Sequence, residues 1–271
     1  ACGFGAISIA ARVGPDNFNG TELITAAYLI FLAMLFDALD GSAARFTNQT
    51  SDFGAQLDSL SDSISFGVAP AFIMLQLIHP DHHLMNTVVN APFNYHPRIL
   101  WAIGVLFMWC ALLRLARFNV ESDEEDSHDF FSGLPSPAAA GVVASFPIAI
   151  WELKEETKVD GVLAWAHPVA PYLLPSLVVL LPLITLAAAM LMVSRIRYAH
   201  LFNQMMRGRR SRRQMRLIVF AMVLAFVVRE MAVPVLFCGF AFASPLRAFW
   251  ERYYLKLYKN KTPLPEETKS V

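Results

Sequence analysis

From Leu173 to Val193 the chain runs without one charged side chain, and Leu217 to Val228 is apolar again. In lipid every backbone amide must find its hydrogen bond inside the segment, so runs of about 20 apolar residues become membrane-crossing helices. The composition agrees, with 56% hydrophobic residues against about 45–50% in an ordinary soluble domain. Mean hydropathy is +0.45. The fold class predicted is all-α, a polytopic membrane protein with about eight transmembrane helices.

The first predicted helix covers 1–12. The others cover about 22–47, 51–78, 98–119, 136–152 and 170–194. The stretch 215–249 exceeds one span, and Arg229-Glu230 followed by Pro234 predicts a reversal into two short helices, because Pro removes a donor and disfavours helix before it. Residues 1–250 then form one membrane-embedded domain, and 251–271 a polar tail. Trp250, Tyr253, Tyr254 and Tyr258 predict an interfacial helix with basic flanks. The start, Ala1-Cys2-Gly3-Phe4, is apolar without an initiator Met or a charged signal region, which predicts a first helix truncated at its N-terminus.

Lys and Arg in the loops set orientation. Arg195, Arg197, Arg207, Arg209, Arg210, Arg212, Arg213 and Arg216 crowd the segment after the sixth helix. This side is expected to be cytoplasmic. Counting back puts Arg45, Arg114 and Arg117 on it too. The loops 13–21 and 79–97 carry no Lys or Arg and fall outside. His79, His82 and His83 read as a polar outer loop. A formal net charge of zero gives no global field for nucleic acid. Cys2, Cys110 and Cys238 sit in apolar stretches without CxxC spacing, which argues against disulfides and structural zinc.

Against this apolar background stand Asp37, Asp40, Asp58 and Asp62. Residues three or four apart share a helix face. Asp37, Asp40, Gly41 and Ala44 therefore line one face of the second helix, and Gly54, Asp58 and Asp62 one face of the third. The short link 46–50 forces these helices antiparallel and adjacent. An aspartate at the bilayer centre costs at least about 2.5–3.5 kcal/mol, and four converging carboxylates add repulsion. Either they protonate or cations bind. Carboxylate oxygens suit hard ions such as Mg²⁺, Mn²⁺ or Ca²⁺. Two divalent ions would balance the four charges and leave positions for phosphate oxygens. Gly41 and Gly54 permit close ligand approach, or close helix packing.

The full spacing is D-x2-D-G-x2-A-R-x8-G-x3-D-x3-D, carried by Asp37, Asp40, Gly41, Ala44, Arg45, Gly54, Asp58 and Asp62. It resembles the signature of the CDP-alcohol phosphatidyltransferase family. The segments DSLSDSISFGVAPA (Asp58 to Ala71), Arg114 to Asn119 and Phe131 to Pro137 resemble its phosphatidylserine synthase branch. An acidic insert, Glu121 to Asp129, departs from the pattern and reads as a solvated loop.

The resemblance implies a six-helix transferase core. It implies metal binding (Mg²⁺ or Mn²⁺) by Asp37, Asp40, Asp58 and Asp62, with Asp62 as general base. Gly41, Ala44 and Gly54 would border the CDP-lipid, and Arg45 would pair with phosphate or fix the helix end. The implied substrates are CDP-diacylglycerol and L-serine, with membrane lipid around the protein and a homodimer as its assembly. Arg114, Arg117 and Asn119 are the candidates for the serine pocket. Ser132 and Ser136, beside Gly133 and Pro135, predict a structured turn over the site.

Three other readings compete. A sister transferase would use glycerol 3-phosphate, inositol phosphate or choline. A membrane prenyltransferase also binds diphosphate on acidic helices, but its carboxylates cluster as NDxxDxxxD and the Gly-x-x-Ala-Arg element is foreign to it. A cation transporter would be expected to show inverted repeats or broken helices at mid-membrane, and the sequence has no such repeat.

Overall fold

The structure, a computed structural model, describes residues 1–14, 20–47, 52–78, 95–121, 130–156, 170–199 and 232–259. Among them lie eight α-helices: α1 (Cys2–Ala10), α2 (Gly20–Thr47), α3 (Asp52–Asp62), α4 (Ala69–Ile78), α5 (Pro97–Glu121), α6 (Ser136–Glu156), α7 (Ala170–Val193) and α8 (Ala232–Lys259). Two three-residue strands, β1 (Phe130–Ser132) and β2 (Arg197–Ala199), pair antiparallel with Phe131 opposite Tyr198.

Five stretches are long and apolar enough to cross a membrane: Gly20–Asp40, Gln56–Ile78, Pro97–Val120, Ser136–Lys154 and Tyr172–Val193. They make the chain a multi-pass membrane protein and match the second to sixth predicted helices within a few residues. The prediction of eight spans is not met among the described residues. Helix α1, nine residues long, is the short first helix expected within 1–12. The apolar part of α8, Ala232–Arg247, is shorter than a span. The seventh predicted helix, Arg229-Glu230, the basic segment beyond Ala199, the acidic insert and the histidine loop lie outside the described residues.

Pro234 falls in the first turn of α8, where a missing N–H costs no helical bond. The same helix continues through the Trp250 region to Lys259, so the boundary at 250 is no break in secondary structure.

Helix α6 is the hub. It packs on α2, α4, α7 and α8, and Ala139, Ala140, Val142, Val143, Ala144, Phe146, Ile148 and Ile150 are all buried. Small residues let the backbones approach, as in membrane helix pairs. At Gly141 an added Cβ would fall 2.2 Å from the Phe237 ring of α8, which itself meets Phe31 of α2 at 5.4 Å between centroids. Large apolar side chains such as Leu32, Leu35, Trp101, Trp109, Leu183 and Met190 point outward, as a lipid-facing surface requires.

Between α3 and α4 the helix widens into a π segment, Ser63–Val68, in which the Ala69 N–H reaches back to the Ile64 carbonyl. Pro70 accounts for the position. Its ring clashes with the carbonyl four residues earlier and it donates no hydrogen bond, and a wider turn relieves both defects. The extra residue turns the downstream helix by about 100°, so Phe66, Ile73 and Met74 meet the core while Asp58 and Asp62 keep another direction.

Candidate active site

Helix α2 ends and α3 begins at the same end of the bundle, so Asp37 and Asp40 close one membrane span while Asp58 and Asp62 open the next. One carboxylate oxygen from each of Asp37, Asp58 and Asp62 lies within 4.8 Å of the others. Oxygens around a common Mg²⁺ or Ca²⁺ stand about 2.0–2.6 Å from the ion, which separates opposite ligands by roughly 4–5 Å. The trio fits a hard divalent cation by spacing and by donor type.

Asp40, one turn along α2, is exposed and stands outside the trio, but its charge repels those of Asp37 and Asp58. Four like charges without a cation are unfavourable in a low-dielectric setting. Arg114 on α5 supplies one positive charge near Asp62, which leaves the cluster negative. Gly41, Ala44 and Arg45 belong to the helical backbone of α2, and Gly54 lies exposed near the start of α3.

The three serine-pocket candidates occupy the same end of α5 but differ in surroundings. Asn119 joins α5 to the aspartate helix: its Nδ2 donates to Ser59 Oγ at 3.0 Å, and the Ser59 hydroxyl donates to Asn119 Oδ1 at 3.3 Å. Ser59 directly follows Asp58. Arg117 is half-buried. Arg114 donates from Nη1 to Ser136 Oγ at 3.1 Å, while its buried Nε has no acceptor among the described residues.

The expected turn at 132–136 has a defined form. Gly133 adopts φ +86°, and its N–H donates to the Ile196 carbonyl at 2.9 Å. An added Cβ would stand 2.3 Å from the Met192 carbonyl oxygen, so glycine is required for both reasons. Leu134 N–H donates to the Leu191 carbonyl at 3.0 Å. These bonds lock the start of α6 to the end of α7, with the β1–β2 ladder beside them. Arg195 and Arg197 follow at that end, so the basic segment begins on the same side of the bundle as the aspartates.

Three features escaped the sequence reading: the π segment, the Ser59–Asn119 clasp and the Arg114–Ser136 bond. Pro70 inside an otherwise helical run was the available signal for the first. The other two join residues 60 and 22 positions apart, and no local pattern announces them.

This geometry defines a metal-fitted, acidic intramembrane site, and comparison with known proteins gives it a class. The profile of the CDP-alcohol phosphatidyltransferases matches residues 4–174, and the chain belongs to that family. A CDP-diacylglycerol–serine O-phosphatidyltransferase of Helicobacter pylori strain J99 is 38% identical over 122 residues, 45% of each chain. A protein of the same name from Methanocaldococcus jannaschii is 37% identical over 124 residues, 46% of this chain and 51% of the relative. An archaetidylserine synthase of Methanothermobacter thermautotrophicus is 41% identical over 127 residues, 46% of this chain and 47% of the relative. The chain thus spans about half the length of the relatives it matches.

Proposed function

We propose that the protein is a phosphatidylserine synthase: it transfers the phosphatidyl group of CDP-diacylglycerol to the hydroxyl of L-serine and releases CMP, a step of phospholipid biosynthesis. The observation that carries this reading is the Asp37–Asp58–Asp62 trio, gathered within a cation's reach inside the family's motif. The choice of serine rests on relatives whose names specify it.

Asp37, Asp40, Asp58 and Asp62 would hold Mg²⁺ or Mn²⁺, which would neutralise the diphosphate and the leaving CMP. Gly41, Ala44, Arg45 and Gly54 border the CDP-lipid. Asp62 accepts the proton of the serine hydroxyl as its oxygen bonds to the β-phosphorus and the bond from that phosphorus to the CMP oxygen breaks. A carboxylate is a weak base for an alcohol, so positioning and electrostatics supply most of the acceleration. Arg114 and Arg117 line the acceptor side, with Asn119 beside them at the same end of α5. The lipid enters sideways from the bilayer and serine from the cytoplasm. The wider frame proposed is a cell-membrane homodimer with the site on the cytoplasmic face, a six-helix core and about eight spans in all.

The test is CMP release from CDP-diacylglycerol and serine with Mg²⁺ or Mn²⁺, set against glycerol 3-phosphate, inositol phosphate and choline. Release with serine alone supports the reading, and a better rate with another alcohol moves the protein to a sister activity. Because one relative is named for archaetidyl transfer, a CDP-archaeol donor belongs in the same assay.

A further inference from the structure

Arg114, near the end of a membrane-crossing helix, has one of its nitrogens committed and another wanting. Its Nη1 donates to Ser136 Oγ, and its Nε is buried without an acceptor among the described residues. A buried donor left unpaired costs about 1–3 kcal/mol, and such a group calls for an explanation. In the guanidinium fork Nη1 lies on the Cδ side. A bond there leaves the other edge, Nε with Nη2, which is the edge that grips a carboxylate in two parallel hydrogen bonds.

Ser136 is well placed to fix that choice of edge. It is fully buried and is the first residue of α6. The turn before it is held by hydrogen bonds from Leu134 to Leu191 in α7 and from Gly133 to Ile196 just beyond that helix. The Ser136 Cα and Cβ are therefore held in place by that packing. The guanidinium so held stands within electrostatic reach of Asp62, the proposed base. In serine only Cβ and Cα separate the hydroxyl oxygen from the carboxyl carbon. A hydroxyl poised at Asp62 therefore carries its carboxylate into the neighbourhood of Arg114. The diphosphate of the lipid donor would be neutralised by cations held on the trio's side and would have less need of Arg114.

Resting on the phosphatidylserine synthase reading, we infer that Ser136 is a positioning residue for acceptor specificity: it holds Arg114 by Nη1 so that the Nε–Nη2 edge receives the acceptor's carboxylate. Asn119, tied to Ser59, is then a clasp between helices and not an acceptor ligand.

The experiment measures CMP release by the full chain in detergent or vesicles for the unaltered protein, Ser136→Ala and Arg114→Lys. The expected result for Ser136→Ala is a KM for serine raised about tenfold, with kcat and the KM for CDP-diacylglycerol held within about twofold. Arg114→Lys, which keeps charge but loses the fork, should raise the serine KM at least as far. An unchanged serine KM in Ser136→Ala overturns the inference, as does a rise confined to the CDP-diacylglycerol KM, which would assign the fork to the diphosphate.

If neither variant folds, competition on the unaltered protein decides. Alanine, a carboxylate without the hydroxyl, should inhibit serine transfer competitively, and ethanolamine, a hydroxyl without the carboxylate, should not. The reverse order overturns the inference. Failure of the unaltered protein to release CMP with serine at any concentration sinks the synthase reading and takes this inference with it. An active enzyme with an unchanged serine KM removes the inference alone.

Discussion

The two halves of this molecule's working face are built on opposite terms. Helix α6 is hub and scaffold, its Ala-rich faces buried against four other helices. The aspartate arm, residues 37–40 of α2 together with α3, is exposed or at most half-buried in its described side chains. Leu39, Phe53, Leu57 and Leu60 are exposed around it, and Phe53 keeps 78% of its surface. A metal and nucleotide site needs room for ligands, and the arm provides it by forgoing packing. The scaffold supplies the stability that the arm lacks. Substitutions should therefore separate cleanly: changes on the arm remove chemistry with little loss of fold, and changes in the scaffold remove fold.

The largest separation should come from metal removal. In EDTA, CMP release should fall to background and return with Mg²⁺ or Mn²⁺, while the thermal unfolding midpoint in detergent moves little, because the arm holds few of the core contacts. Activity that survives in metal-free buffer would end the account of the trio. Next comes Asp62→Asn, with a loss of roughly 10²–10⁴ in turnover, the range of a general base. CDP-diacylglycerol binding should persist. Stability should hold or rise, because one of the crowded like charges is gone. A variant with near-normal turnover would make Asp62 a bystander.

The scaffold's counterpart is Gly133→Ala. The residue sits at φ +86° with a carbonyl where the methyl would go. A non-glycine residue there costs about 1–3 kcal/mol in backbone strain, before the clash. The midpoint of unfolding should drop. Activity measured below that midpoint should fall much less than in Asp62→Asn. If Gly133→Ala left stability untouched, the turn would not be the anchor of α6 that its hydrogen bonds imply.

How much of this was legible in the sequence depends on the range of the interaction. The central five spans follow from apolar runs, since lipid leaves the backbone one hydrogen-bonding solution. The aspartate faces follow from helical spacing, and their meeting from a link, 46–50, too short to let the two helices part. Beyond that range the reading thins. Among the described residues five spans stand, and the short apolar helices Cys2–Ala10 and Ala232–Arg247 add no further one by length. Pro70 marked a disturbance, but a proline alone does not say that the answer is a π turn. Arg114, Arg117 and Asn119 looked alike as polar residues at one helix end. Tertiary contacts with Ser136 and Ser59 are what distinguish Arg114 from Asn119.

The smallest predicted effect tests the joint between the two regions. Ser59 and Asn119 bridge the aspartate arm to α5 through hydrogen bonds of 3.0 and 3.3 Å. A neutral hydrogen bond contributes about 0.5–1.5 kcal/mol net, so Asn119→Ala and Ser59→Ala should each destabilise slightly. Their double variant should cost less than the sum, since the second change removes nothing the first has left. Because the clasp sits next to Asp58, the looser arm should also need more Mg²⁺ for half-maximal CMP release, with the serine KM little changed. Additive losses in the double variant would mean that the two side chains act apart. A serine KM that rises in Asn119→Ala as steeply as in Ser136→Ala would return Asn119 to the acceptor pocket and erase the division between clasp and ligand.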